Sequence, residues 1–148
     1  MRQTILRLLV PVGLLIGCGT EPRSDLLPGA YVLETVEGSA LPVVLQDDAE
    51  VGRWVLHADT IFILGAGRAE RRRVVQVTGN DYMADTLMND RRETNYRLTN
   101  GILEVGYFSC PPNALCTAIP AGSLLPDGFT LDVGLLGGPP SGMFRRAD

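Results

Sequence analysis

The sequence predicts an all-β domain, a small antiparallel up-and-down barrel of about eight strands. Three observations carry that expectation. Apolar and polar residues alternate with period two in segment after segment. Gly, Pro, Asn and Asp punctuate those segments at short intervals. No stretch holds a helical repeat with capping residues at its ends. Closure is favoured because it removes exposed strand edges. About eight strands also leave an interior just wide enough for side chains or one small ligand.

The elements follow in chain order. After Gly29, Tyr31, Leu33 and Thr35 share one face of a strand, and Val32, Glu34 and Val36 the other. Leu41 to Asp48 is read as one or two helical turns. Arg53–His57 and Thr60–Leu64 are two strands rich in Trp, Val, Ile and Phe. Ala69–Thr78 is the next, with its arginines leading into Val74-Val75-Gln76-Val77. Tyr82–Met88 carries a weaker pattern. Thr94–Thr99 alternates, with Tyr96 and Leu98 inward and Arg97 and Thr99 outward. Asn100-Gly101 then marks a type I′ hairpin turn, whose two central residues both need positive φ. Ile102–Tyr107 returns with Leu103 and Val105 inward and Glu104 outward. Phe129, Leu131 and Val133 alternate after the Pro126-Asp127-Gly128 turn. Gly134–Gly142 is a Gly/Pro loop, and Met143–Arg146 a short closing strand.

The first 17 residues lie outside this pattern. Arg2 and Arg7 precede a short apolar core, Leu8–Ile16, interrupted by Pro11 and Gly13. A bilayer span needs about 20 apolar residues, so this core has the size of a signal-peptide h-region instead. The run Leu15-Ile16-Gly17-Cys18 resembles the lipobox of bacterial lipoproteins. That resemblance implies a diacylglyceryl group on Cys18, cleavage between Gly17 and Cys18, and acylation of the new amino terminus. Several acyl chains are needed because one holds a protein only marginally, at about 0.8 kcal/mol per buried methylene. Gly19 rather than Asp follows the cysteine, which in a diderm host implies sorting to the outer membrane. The expected organisation is therefore a signal peptide over 1–17, a lipidated tether over 18–28 and a barrel domain over 29–148. Fully extended, the tether reaches about 30 Å at most.

Composition narrows the function. The chain has 148 residues, 13 basic and 17 acidic. Loss of Arg2 and Arg7 with the signal leaves 11 basic residues and a net charge of −6. That balance argues against a general binder of nucleic acid or anionic membranes. The two remaining cysteines, Cys110 and Cys116, flank Pro111-Pro112-Asn113-Ala114-Leu115. In an oxidising compartment they form a disulfide, worth roughly 2–2.5 kcal/mol before strain. Their spacing is not Cys-x-x-Cys, which excludes a thioredoxin-like motif.

Three short stretches carry a second resemblance. They are Gly29-Ala30-Tyr31-Val32-Leu33 with Val36-Glu37-Gly38-Ser39-Ala40-Leu41-Pro42, the Tyr96–Glu104 hairpin, and Gly142-Met143-Phe144-Arg145-Arg146. Together they resemble the opening, middle and closing strands of small bacterial lipocalin-like lipoproteins. Lipocalins usually carry Trp where this chain has Tyr31, and the Cys-Pro-Pro insertion is a further departure. The resemblance implies a barrel and an apolar ligand cavity, and it implies no reaction.

Candidate side chains are few. Period two places His57 and Asp59 on one face, a pair suited in kind to metal or acid–base work. Catalytic zinc needs three protein ligands, and no third is in view. Arg68, Arg71, Arg72 and Arg73 are suited to a phosphate or carboxylate, but alternation sends Arg72 away from Arg71 and Arg73. A solvated strand surface accounts for them as well. Asp47, Asp48 and Glu50 lack the spacing and the Gly of a calcium loop. Tyr31, Trp54, Phe62, Tyr96, Tyr107 and Phe129 are the candidate lining of a ligand cavity, against the plainer role of filling a core. No nucleophile elbow, zinc-binding helix or phosphate loop occurs. The expectation is a non-enzymatic, cofactor-free envelope protein, membrane-held through Cys18, that binds a small apolar ligand or lipid. The alternative is an interaction module with a filled core and an envelope protein as partner.

Overall fold

The computed structural model describes residues 26–79, 85–108 and 118–148, and among them there is no helix. The strands are β1 (Gly29–Val36), β2 (Ser39–Ala40), β3 (Val43–Asp48), β4 (Gly52–Gly65), β5 (Arg68–Thr78), β6 (Thr86–Thr99), β7 (Ile102–Gly106), β8 (Ala121–Leu125), β9 (Gly128–Asp132) and β10 (Ser141–Arg146). Strands β1 and β4 to β10 close into an antiparallel up-and-down barrel of eight. Closure rests on β1, which pairs β10 along one edge and β4 along the other. The two extra strands lie between them in sequence: β2 pairs the end of β1, and β3 pairs the first half of β4.

Inward alternation builds the core. Tyr31 and Leu33, Ile61 and Ile63, Leu103 and Val105, and Phe129, Leu131 and Val133 are buried, as the period-two pattern requires. Phe129 stacks on Phe144 at 5.1 Å between ring centroids and meets Tyr31 at the same distance. These three rings fill the interior near the end where the chain enters. The Tyr31 hydroxyl donates to the Leu27 carbonyl at 2.9 Å, and Leu26 is buried beneath it.

The barrel's two ends differ. Three tight connections gather at the entering end, bracketed by the pairs Gly65↔Arg68, Thr99↔Ile102 and Leu125↔Gly128. Asn100 (φ 52°) and Gly101 (φ 79°) adopt the positive φ values of the expected type I′ turn. At the far end β4, β5 and β6 run on beyond the barrel, joined by β3, as a four-stranded extension.

Four sequence expectations change. Leu41–Asp48 contains no helical turn; Val43–Asp48 is β3, held by its register with β4. Arg53–His57 and Thr60–Leu64 are parts of one 14-residue strand, with a bulge between Leu56 and Ala58. The strand expected at Tyr82–Met88 begins at Thr86 and continues through Thr99; residues 80–84 lie outside the described residues. The sequence reading missed β8, whose second residue, at an inward position, is Gly122. A Cβ there would sit 1.8 Å from the Thr130 carbonyl oxygen of β9, so close approach excludes the side chain that alternation would have revealed.

Removing a fully buried ring should be expensive. Phe144→Ala is expected to cost about 3–5 kcal/mol in urea unfolding. Leu87→Ala, at a position 57% exposed, should stay within about 0.5 kcal/mol.

Candidate functional site

The bulge in β4 decides where the chemistry sits. Leu56 pairs Val75 and Ala58 pairs Val74, so His57 is the extra residue. The inserted residue shifts the alternation by one. His57 and Asp59 therefore lie on opposite faces, which corrects the expectation that they share one. His57 faces out, with Nε2 at 3.0 Å from Gln76 Oε1. Asp59 faces in, and its side chain has no exposed surface.

Strand β5 supplies the counter-charges. Arg71 clasps Asp59 through Nε (3.0 Å to Oδ1) and Nη2 (2.5 Å to Oδ2). Arg73 Nε lies 3.3 Å from Asp59 Oδ2, and Nη2 donates to the Val133 carbonyl at 2.5 Å. The side chains of both arginines are only 13% exposed, so a solvated strand surface does not describe them. Burial pushes the Arg73 pKa down, the neighbouring Arg71 charge pushes it further, and Asp59 opposes both. The group stays charged, because arginine does not deprotonate in proteins.

Strand β6 completes the inner cluster. Asp90 stands opposite Arg73, and Arg92 opposite Arg71. Arg92 Nε donates to Asp90 Oδ1 at 2.9 Å. The barrel interior thus has an apolar layer toward the entering end, a charged layer above it, and a second apolar wall in the extension. That wall comprises the cross-strand pairs Val43–Leu56, Leu56–Val75 and Trp54–Val77.

A second ionic group lies on the outer face of the same strands. Glu70 receives Arg91 Nη2 at 2.7 Å and Arg72 Nε at 2.5 Å. Arg72 also lies over the Phe62 ring, at 4.5 Å from its centroid. The hydrogen bond from Arg91, then that from Arg72, holds the Glu70 carboxyl below the usual carboxylate range. Arg68 stands at the β4–β5 connection, exposed and opposite Asn95.

The candidate ligand-lining residues separate. Tyr31, Tyr96 and Phe129 are buried in the core. Trp54 is partly buried on the extension and packs against that core, its Nε1 donating to the Val51 carbonyl at 3.1 Å. Phe62 faces out beneath Arg72. Tyr107 is 62% exposed, and its hydroxyl donates to the Glu93 carbonyl. The six therefore do not line one cavity, because Phe62 faces out and Tyr107 lies exposed beyond the end of β7. A half-open, polar depression of about 180 Å³ lies beside Arg68, Glu93, Asn95 and Tyr107. The acidic run at Asp47–Glu50 serves its own turn, with Asp48 Oδ1 accepting from the amides of Glu50 and Val51. Among the described residues no group of three or more His, Cys, Asp or Glu could hold a metal. Cys18, Cys110 and Cys116 lie outside the described residues.

The sequence reading singled out both the arginines and Asp59, but set Asp59 beside His57 rather than beside Arg71 and Arg73. The only signal was Asp59 at an inward position, and the bulge conceals that parity. Comparison with known protein families, curated proteins and solved structures finds no match to this chain.

Two outcomes follow from the ion groups. Asp59→Asn leaves two cations facing each other in the barrel and should cost about 3–5 kcal/mol in urea unfolding. The Glu70 carboxyl has a folded pKa below its unfolded value of about 4.3. Its contribution is complete above that value and is lost as pH falls through the folded one. Arg91→Gln, at an exposed position, should raise the Glu70 titration midpoint, read from the carboxyl carbon shift by NMR.

Proposed function

We propose that this chain is a lipid-anchored, non-enzymatic protein of the cell envelope whose barrel binds a small apolar molecule or lipid at the end opposite its anchor. One observation carries the binding half of this reading: the two ends are built differently. The entering end is closed by tight hairpins and filled by Tyr31, Phe129 and Phe144. The far end carries the extension, with Leu41, Val43, Leu45 and Trp54 only partly buried against the core. Partly covered apolar side chains gathered beside the core suit an apolar ligand.

The anchor half rests on the lipobox-like run ending in Cys18. Residues 19–28 lead into β1 at the closed end, so a chain held at Cys18 turns that end toward the bilayer and the extension away from it. An outer-membrane location follows for a diderm host. The filled lower interior favours a second reading, an interaction module with an envelope protein as partner. A disulfide between Cys110 and Cys116 belongs to either.

Radiolabelled palmitate should enter the wild-type chain and be absent from Cys18→Ser; label retained on that variant overturns the anchor. The full chain carrying Cys18→Ser should bind an uncharged naphthylamine fluorophore saturably, with energy transfer from Trp54, the only tryptophan. Absence of saturable binding favours the interaction module. Intact mass should show two cysteine alkylations at Cys110 and Cys116 only after reduction.

A further inference from the structure

The inner charged layer does not balance. Asp59 is shared by Arg71 and Arg73, and Asp90 is matched by Arg92. Three guanidiniums meet two carboxylates, which leaves one positive charge in excess. Arg71 and Arg92 are directly opposite in the β5–β6 register, where side chains stand about 5 Å apart and like charges are destabilising. None of the three can escape by losing its proton.

The donors are also only partly used. Arg71 spends Nε and Nη2 on Asp59, and Arg73 spends Nη2 on Val133. Arg73 Nε is, among the described residues, the buried side-chain nitrogen without a hydrogen-bond partner, although Asp59 lies within ion-pair range. Arg92 uses only Nε, on Asp90, and its side chain is 66% exposed. The cluster is therefore buried at Arg71 and Arg73 and open at Arg92. Next to it along β5 lie Val75 and Val77, buried against Leu56, with Trp54 partly buried at the outer part of that apolar wall.

We propose that the inner face of β5 and β6 is an anion site, in which Arg71, Arg73 and Arg92 receive the single carboxylate or phosphate group of an amphiphilic ligand whose apolar part lies on the Trp54 wall. This rests on the apolar-ligand reading and narrows it to a charged class. One bound anion cancels the excess charge and separates Arg71 from Arg92. It also gives the free guanidinium hydrogens a planar or tetrahedral acceptor of the kind they pair with best. Asp59 is then the positioning residue, fixing Arg71 by a two-point clasp from below.

The test uses the full chain carrying Cys18→Ser and three probes of equal chain length: decanoate, decyl phosphate and decanol. Binding is read by calorimetry and by Trp54 fluorescence. At least one of the two anions should bind about tenfold more tightly than decanol, a difference of about 1.4 kcal/mol. The ratio between the two anions identifies carboxylate or phosphate. Arg92→Gln, at an open position, should remove most of that advantage while leaving decanol unchanged. Arg145→Gln, a charge control on the outer surface where Arg145 pairs with Glu34, should leave the advantage intact. Equal binding of decanol and both anions overturns the anion site and leaves the apolar reading standing. Equal losses in the two arginine variants also overturn it, because the preference then follows net charge. Binding of none of the three overturns both readings.

Discussion

Everything in this fold depends on β1 serving two neighbours at once. Its first residues bond to β4 while its length bonds to β10. That double duty turns a meander of hairpins into a closed tube and satisfies both edges of the strand that would otherwise be terminal. Closure also fixes the width. Eight strands give an interior that one layer of side chains can fill, and Phe129, Phe144 and Tyr31 fill it at the closed end. The bulge in β1 between Leu33 and Thr35 lets Val36 turn inward where plain alternation would place Thr35.

A narrow closed interior makes charge expensive, yet this chain places a carboxylate and two guanidiniums there. The β4 bulge is the cause. Without the bulge, His57 and Asp59 would share one face, and plain alternation from inward Leu56 would turn both outward. With it, Asp59 meets Arg71 and Arg73 in register. A buried ion pair is rarely a net source of stability, because desolvation of each charge opposes the attraction. The triad is better understood as setting the polarity of the barrel at mid-height, above a sealed apolar floor. The outer face of the same strands repeats the motif with Glu70, Arg72 and Arg91, but solvent reaches those arginines. Arg71 and Arg73 are thus nearly dry while Arg72 and Arg91 are wet, and Arg92, of inward parity, is open to solvent at the edge of the inner group.

What the sequence revealed and concealed follows from the same geometry. Segments facing core on one side and solvent on the other were legible: Tyr96–Thr99, Leu103–Val105 and Phe129–Val133 alternate because each inward position is buried. The Asn100-Gly101 turn was legible because few residues accept its φ values. Three features were not. Strand β8 has Gly122 at an inward position because β9 passes too close for a side chain. Strand β3 lacks clean alternation, owing to a register shift between Val44 and Gln46, so Leu41–Asp48 imitated a helical turn. The pairing of Asp59 with Arg71 was concealed by a one-residue insertion, which no local pattern marks. Phe62 was grouped with the cavity candidates as an aromatic residue, and its outward position follows from the burial of Ile61 and Ile63 on either side of it.

The position of the charged layer constrains what the open end can be used for. Along the inner face, from the extension toward the entering end, partly buried Trp54 comes first, then buried Val77, Leu56 and Val75, then Arg73. The entering end is filled by Tyr31, Phe129 and Phe144, with Leu26 in the same buried core. In the proposed binding role, an apolar group that reaches the ionic layer is favoured there only when it carries a charge of the sign that layer lacks. The same layering acts on a purely structural role. A module evolved only to present its outer surface gains nothing from excess positive charge inside a barrel, because desolvation makes the interior the costliest place to hold it.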